Sequence, residues 1–227
     1  MTTDLSVARS PELEPPGALL IVPLGSTEQH GPHLPLSTDT VIAGAWASAL
    51  ATSLANSGTA GVLVAPALPY GSAGEHQSFA GTLSIGTDAT VTVIVELARS
   101  AAHLATRIVF LSGHAGNLDA LRSAIEKLRY EGHTVDMVLP VMAGSDAHAG
   151  RTETSLMLHI APELVALDRA EPGNSQPISD LLDDLRAGGI ATVSRNGILG
   201  DPTGASAAEG EQLLTRLVAH ARATIDL

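Results

Sequence analysis

Three stretches of this chain gather more ionisable and small residues than a plain connection needs. The first is Gly25-Ser-Thr-Glu28-Gln-His30-Gly-Pro-His33-Leu-Pro-Leu-Ser-Thr-Asp39. In an extended loop Glu28 and His30, two apart, project to the same side, and Asp39 at the start of a following helix can fold back toward them. Carboxylate oxygens together with imidazole nitrogens suit Zn, Mn or Fe(II), and a carboxylate can bridge two cations where a single histidine cannot. The second stretch is Ser112-Gly-His114-Ala-Gly-Asn117, whose small residues leave space around the imidazole. The third is Asp146-Ala-His148-Ala-Gly-Arg-Thr-Glu153. There His148 is a candidate proton carrier, because imidazole titrates near neutrality, and Glu153 a candidate ligand or base.

Each residue also has a plain structural reading. Glu28 can be a surface charge, His30 a hydrogen-bonded core histidine, Asp39 or Thr40 a helix cap, and Glu153 a first-turn carboxylate facing the helix dipole. Ser112 to Asn117 can be a turn into a helix capped by Asn117. Against these stands the clustering of ionisable groups among Pro and Gly directly after an apolar strand. Glu75 and His76, in the Gly-rich stretch from Tyr70 to Gly86, either contact substrate or merely close that loop. His33 is left open, while His103, His133, His159 and His220 read as peripheral.

The elements that must carry these loops follow from the apolar pattern. Ala18 to Leu24 and Arg107 to Leu111 are apolar runs without alternation, which suits strands covered on both faces. Val62 to Pro66 and Thr134 to Val141 add two more strands. Helical spacing appears over residues 39–54, 87–105, 118–128, 151–160, 178–187 and 205–223. Strand and helix alternate, so the expected fold class is α/β: a three-layer α/β/α sandwich on a mainly parallel sheet. In such sheets ligands bind beyond the carboxyl ends of the strands, where the three polar loops fall.

The 227 residues suit one domain, assigned to 18–227, after a polar, Pro-rich tail over 1–17 expected to be flexible. Aromatic residues are only 2% of the chain, so the core must be aliphatic. The formal charge of −12 repels nucleic-acid phosphate and anionic lipid, so neither nucleic acid nor membrane is expected as a partner. With no cysteine, disulfides, thiolate catalysis and Cys-ligated metal are excluded, and any cation must sit on His, Asp or Glu. No secretory signal pattern or membrane-length apolar run is present, and a cytoplasmic location is expected.

The first stretch resembles the N-terminal signature of the creatininase family. Ser-Gly-His114-Ala-Gly-Asn and His148-Ala-Gly-Arg-Thr-Glu153-Thr-Ser resemble its second and third motifs, in the same order. The resemblance implies an α/β/α fold, a centre of two divalent ions per subunit (Zn, Fe(II) or Mn), amide hydrolysis and a homohexamer. By motif it makes Glu28, His30, Asp39 and His114 ligands, with Asp39 the bridge. Two positions depart from creatininase itself: Gly116 and Ala147 stand where that enzyme has acidic residues. The creatininase reaction is therefore not expected, and Glu153 is the candidate for the missing ligand. Tyr70 to Gly86 and Asn196 to Gly210 resemble the family's mycofactocin-system branch, which implies a peptidase trimming a modified, ribosomally made precursor peptide to release its C-terminal Val-Tyr-derived dipeptide.

Other classes leave weaker traces. A small-molecule cyclic-amide or formamide hydrolase is the alternative within the enzymes. A metal-free nucleotide-binding module would need a G-x-G-x-x-G or G-x-x-x-x-G-K-[ST] pattern after a strand, and there is none. A non-catalytic protein keeping its metal for structure fits the acidic donor set poorly, because structural zinc sites are usually closed and Cys-rich.

Overall fold

In the computed structural model, which describes residues 4–13, 17–140 and 144–226, four parallel strands form one sheet in the order β2-β1-β3-β4. The strands are β1 (Ala18–Leu24), β2 (Val62–Val64), β3 (Ala105–Ser112) and β4 (Val135–Val138). Every residue of β1 is buried, because side chains of alternate residues enter two different cores. Leu19 and Ile21 join one cluster, and Leu20, Val22 and Leu24 the other. This accounts for a run with no polar alternation.

Helices α1 (Thr38–Asn56), α4 (Arg151–Ile160) and α6 (Ala207–Thr224) cover the first face through Trp46, Leu50, Met157 and Leu217. Helices α2 (Thr87–Ala101) and α3 (Leu118–Tyr130) cover the second through Ile94, Leu121 and Leu128. The arrangement is the expected α/β/α sandwich. Its core is aliphatic apart from Trp46 and Phe110, the two largest fully buried side chains. Helix α5 (Ile178–Gly188) packs with Ile190 and Leu199 in a small satellite cluster. Among the described residues no helix is long and apolar enough to cross a membrane.

Some boundaries differ from the sequence reading. The β4 ladder stops at Val138, short of the expected end at Val141, which lies outside the described residues. Helix α2 ends at Ala101 and Ala105 already pairs with Ala18, since the chain must turn to start β3. In the segment assigned to a tail, the Leu5 amide donates to the Val64 carbonyl at 2.9 Å, and Leu5 and Leu13 pack on the second core.

β1 is central, with β2 on one side and β3 on the other, so the chain reverses its direction of sheet growth at the β1–β3 pair. There the loops leaving two adjacent strands splay apart and open a crevice. Glycine lets the backbones converge at this point: a β-carbon on Gly25 would collide with Thr40, and one on Gly113 with the Asp39 carbonyl. The start of α1 is thereby drawn against the ends of β1 and β3.

Candidate metal centre

Asn117 ties the crevice together. Its side-chain oxygen accepts from the Ser72 amide at 2.9 Å, and its amide nitrogen donates to the Gly25 carbonyl at 3.1 Å and to Ser112 Oγ at 3.3 Å. It is not the side-chain cap that one reading of the sequence offered, because those bonds use both ends of its amide. Asp39 is not a cap either. The N-cap of α1 is Ser37, which makes no side-chain cap bond, and the Asp39 carboxylate is buried against histidines.

Within this frame Glu28, His30, Asp39, His114, His148 and Glu153 converge. Three sets of donor atoms each lie within 4.8 Å of one another: Glu28, Asp39 and His114; His30, Asp39 and Glu153; and Glu28, His30 and His148. Asp39 belongs to two of the sets through different oxygens, Oδ1 lying 3.1 Å from His30 Nε2 and Oδ2 lying 3.4 Å from His114 Nδ1. Glu28 Oε1 is 3.1 Å from His114 Nδ1 and 3.7 Å from His148 Nδ1.

The outer nitrogen of each of these histidines faces a backbone carbonyl. His30 Nδ1 donates to Glu28 O at 3.1 Å, His114 Nε2 to Ser72 O at 3.0 Å, and His148 Nε2 to Gln29 O at 2.8 Å. A carbonyl can only accept, so in the neutral imidazole the proton sits outside and the lone pair points inward. Inside, those lone pairs meet carboxylate oxygens. Glu28 Oε1 and Oε2 and Asp39 Oδ2 are buried and make no hydrogen bond. A lone pair facing an anionic oxygen in a buried place calls for a proton or a metal cation between them, and a charged His30 meets Asp39 Oδ1 through a hydrogen bond from Nε2 at 3.1 Å. Divalent metal fits this donor set, and the outward N–H bonds are the support that metal-ligating histidines typically have.

The titration behaviour follows. Burial works against charge on His30, yet Asp39, Glu153 and Glu28 together hold its pKa up at about 10. His114 is likewise raised well above its ordinary value, burial being outweighed by Glu28, Glu75 and Asp39. Burial, and then Glu28, raise Asp39. Burial also lifts Glu153 to about 7, assisted by Asp39 and opposed by His30. Glu28 is held well below the carboxylate range, its burial overcome by His114, His76 and His148. His148 is pushed well down by burial and by His30 and His76.

The remaining candidates fall around this cluster. Glu75 is half-buried in a short 3-10 turn (Gly74–His76), with Oε1 at 3.5 Å from His114 Nε2, on the outer side of that ring. A β-carbon on Gly116 would overlap both Glu75 Oε1 and His114 Nε2. The glycine that departs from the creatininase pattern thus vacates room that a carboxylate from another loop fills. His76 is buried, with Nε2 at 3.2 Å from Glu28 Oε1. His33 is buried beside the cluster and bonds Thr154 Oγ1 through Nε2 at 2.9 Å. His148 is set by an isolated antiparallel bridge to Leu199. The sequence reading passed over Gln29, although it stands between two singled-out residues, because an amide carries no charge signal.

The sequence model of the creatinine amidohydrolase (creatininase) family matches residues 4–225. A mycofactocin precursor peptide peptidase of Mycobacterium ulcerans is 50% identical over 218 residues, covering 95% of this chain and 87% of that protein. Among solved structures, a creatinine amidohydrolase (creatininase) superposes with a TM-score of 0.76 at 25% identity, covering 99% of this chain and 96% of that one. A mutant creatininase of Zn-Zn type gives 0.77 at 26% over 99% and 97%, and a creatininase described with Mn gives 0.76 at 26% over 99% and 98%.

Proposed function

The chain belongs to the creatininase family, and on that premise we propose that it is a metal-dependent peptidase acting on the modified mycofactocin precursor peptide, releasing its C-terminal Val-Tyr-derived dipeptide. The observation that carries the substrate is the half-identity, over nearly the whole chain, to a protein of that name. The observation that supports the chemistry is the set of converging buried imidazoles and carboxylates, three carboxylate oxygens of which make no hydrogen bond, which a divalent cation would reconcile.

In this reading Glu28, Asp39 and His114 would hold one divalent ion and His30, Asp39 and Glu153 a second, Asp39 belonging to both donor sets. Ions of this kind supply Lewis acidity toward the amide carbonyl and a nucleophile from water at neutral pH. The Ser72 and Glu28 carbonyls keep the His114 and His30 rings oriented, and Glu75 supports His114 from outside. His148 keeps its Nε2 proton on the Gln29 carbonyl, so its Nδ1 is free to take the proton released by the attacking water and return it to the departing amine. Access comes from the side of Glu75 and Glu153, the two partly exposed members. The loops framing the cluster expose Tyr70, Leu83, Ile85 and Leu36, which suit an apolar peptide end. Zn, Mn and Fe(II) all accept these donors.

The test is mass spectrometry of the modified precursor peptide incubated with metal-loaded and with chelated protein. Metal-dependent loss of the C-terminal dipeptide fragment is expected, and intact peptide beside demonstrably loaded protein would remove the substrate assignment. A homohexamer is part of the proposal, and sedimentation of a 23.1 kDa species at micromolar concentration would refute it.

A further inference from the structure

Four imidazoles crowd the crevice, and three of them send a proton outward to a backbone carbonyl and a lone pair inward. His76 is placed differently. Its outer nitrogen, Nδ1, lies 3.0 Å from the side-chain nitrogen of Gln29. The direction of that bond depends on which way the Gln29 amide is turned, and two backbone groups fix it. The Gly31 N–H, which can only donate, approaches Gln29 Oε1 at 2.9 Å, and the Gly197 carbonyl, which can only accept, lies 2.9 Å from Gln29 Nε2. Gln29 is buried, and a β-carbon on Gly197 would strike its amide, so the glycine leaves the space that the amide fills.

Gln29 Nε2 therefore presents its two protons to Gly197 O and to His76 Nδ1. It also lies 3.1 Å from His148 Nε2, but that nitrogen's proton is already directed at the Gln29 carbonyl, so no hydrogen bond forms between the two. With Nδ1 accepting, a neutral His76 carries its proton on Nε2, the nitrogen that lies 3.2 Å from Glu28 Oε1 without the alignment of a hydrogen bond.

We propose that Gln29 is a positioning residue that sorts the site's histidines, holding His76 as the Nε2–H tautomer and never a metal ligand, while its own main-chain carbonyl turns the lone pair of His148 inward. The consequence is a division of labour: His30, His114 and His148 offer lone pairs to cations or protons, and His76 turns an N–H toward the cluster in place of a lone pair. This differs from both readings that the sequence offered for His76, contact with substrate and closure of the Gly-rich loop. It holds whichever amide the site cleaves, and it deepens the metal-centre reading without needing the substrate.

Neutron diffraction from deuterium-exchanged crystals of the zinc-loaded protein tests it directly. Deuterium is expected on Nε2 of His76 and of His148 and on neither Nδ1, with no zinc within bonding distance of His76. Deuterium on His76 Nδ1 alone, or zinc bound to that ring, would overturn the proposal. In Gln29→Met, which keeps length but neither donor nor acceptor, His76 should show deuterium divided between its two nitrogens. His148, held by main chain, should remain as in the wild type. An unchanged His76 in that variant would show that Gln29 does not set it. Should the variant fail to fold, the wild-type density still decides the tautomer. Crystals that take up no zinc would count against the metal centre while leaving the His76 tautomer to be read on its own.

Discussion

At the surface, Arg99 of α2 lies between Glu131, at 2.5 and 2.9 Å, and Glu96, at 2.6 Å. In the crevice, Glu28 and Asp39 lie 3.1 to 3.7 Å from histidine nitrogens and are almost wholly shielded from water. Both regions hold carboxylates beside nitrogen bases at ordinary contact distances. They differ in what lies between the charges. Around Arg99 every carboxylate meets an N–H, water screens the rest, and such pairs contribute little. In the crevice nitrogen lone pairs meet carboxylate oxygens with solvent excluded, which is costly until a cation joins them. The lesson is that proximity of opposite residue types says little, while the direction of the protons and access to water separate a functional cluster from a decorative one.

That contrast can be broken or sharpened. The largest effect is expected from Asp39→Asn, which keeps shape and removes the charge shared by two donor sets. Turnover in the peptide assay should fall by well over the about 10- to 100-fold that loss of a supporting partner costs, with bound metal by elemental analysis falling alongside. Wild-type activity with full metal content would dissolve the distinction between the regions. Chelation comes next. A ligand present at a thousand times its Kd stabilises the fold by about 4 kcal/mol, so calorimetry should show the melting point dropping by about 8–16 °C on chelation, and the same drop in a Glu131→Gln protein.

Glu75→Gln should lower activity by about 10- to 100-fold by weakening support of His114, read as kcat against KM; a change confined to KM would return Glu75 to substrate binding. A pH series sharpens the role of burial. In metal-free protein Glu153 has its pKa raised from 4.5 to about 7. The folded state therefore favours the protonated carboxyl, and this contribution is complete below pH 4.5 and lost as pH rises through 7. The difference in denaturant stability between wild type and Glu153→Gln should change across that window, and a flat difference would mean that Glu153 is not buried as described. The smallest effect is expected for Glu131→Gln, whose exposed partner contributes about 0–1 kcal/mol, measured by urea unfolding.

Much of the fold was legible because burial on both faces leaves a strong trace in sequence. β1 coincides with the apolar run Ala18–Leu24, and α4 with the helical spacing over Arg151–Ile160. The loops carrying Glu28, His30, Asp39, His114, His148 and Glu153 were legible as well, since Gly, Pro and ionisable residues directly after a buried strand are an unusual combination. The ends of β4 and α2 were less so, because strand length depends on the neighbouring strand and not on the local pattern.

The sequence by itself determined which residue types could meet at the strand ends, and excluded cysteine chemistry. Only the tertiary structure decided the direction of each proton. Gln29 is 47 residues from His76, 119 from His148 and 168 from Gly197, yet its amide touches all three. Glu75 reaches the space left by Gly116 from a different loop. Residue type fixes how many donors and acceptors a side chain has, but which of them faces a carbonyl, a carboxylate or another imidazole is set by the chain segments folded around it.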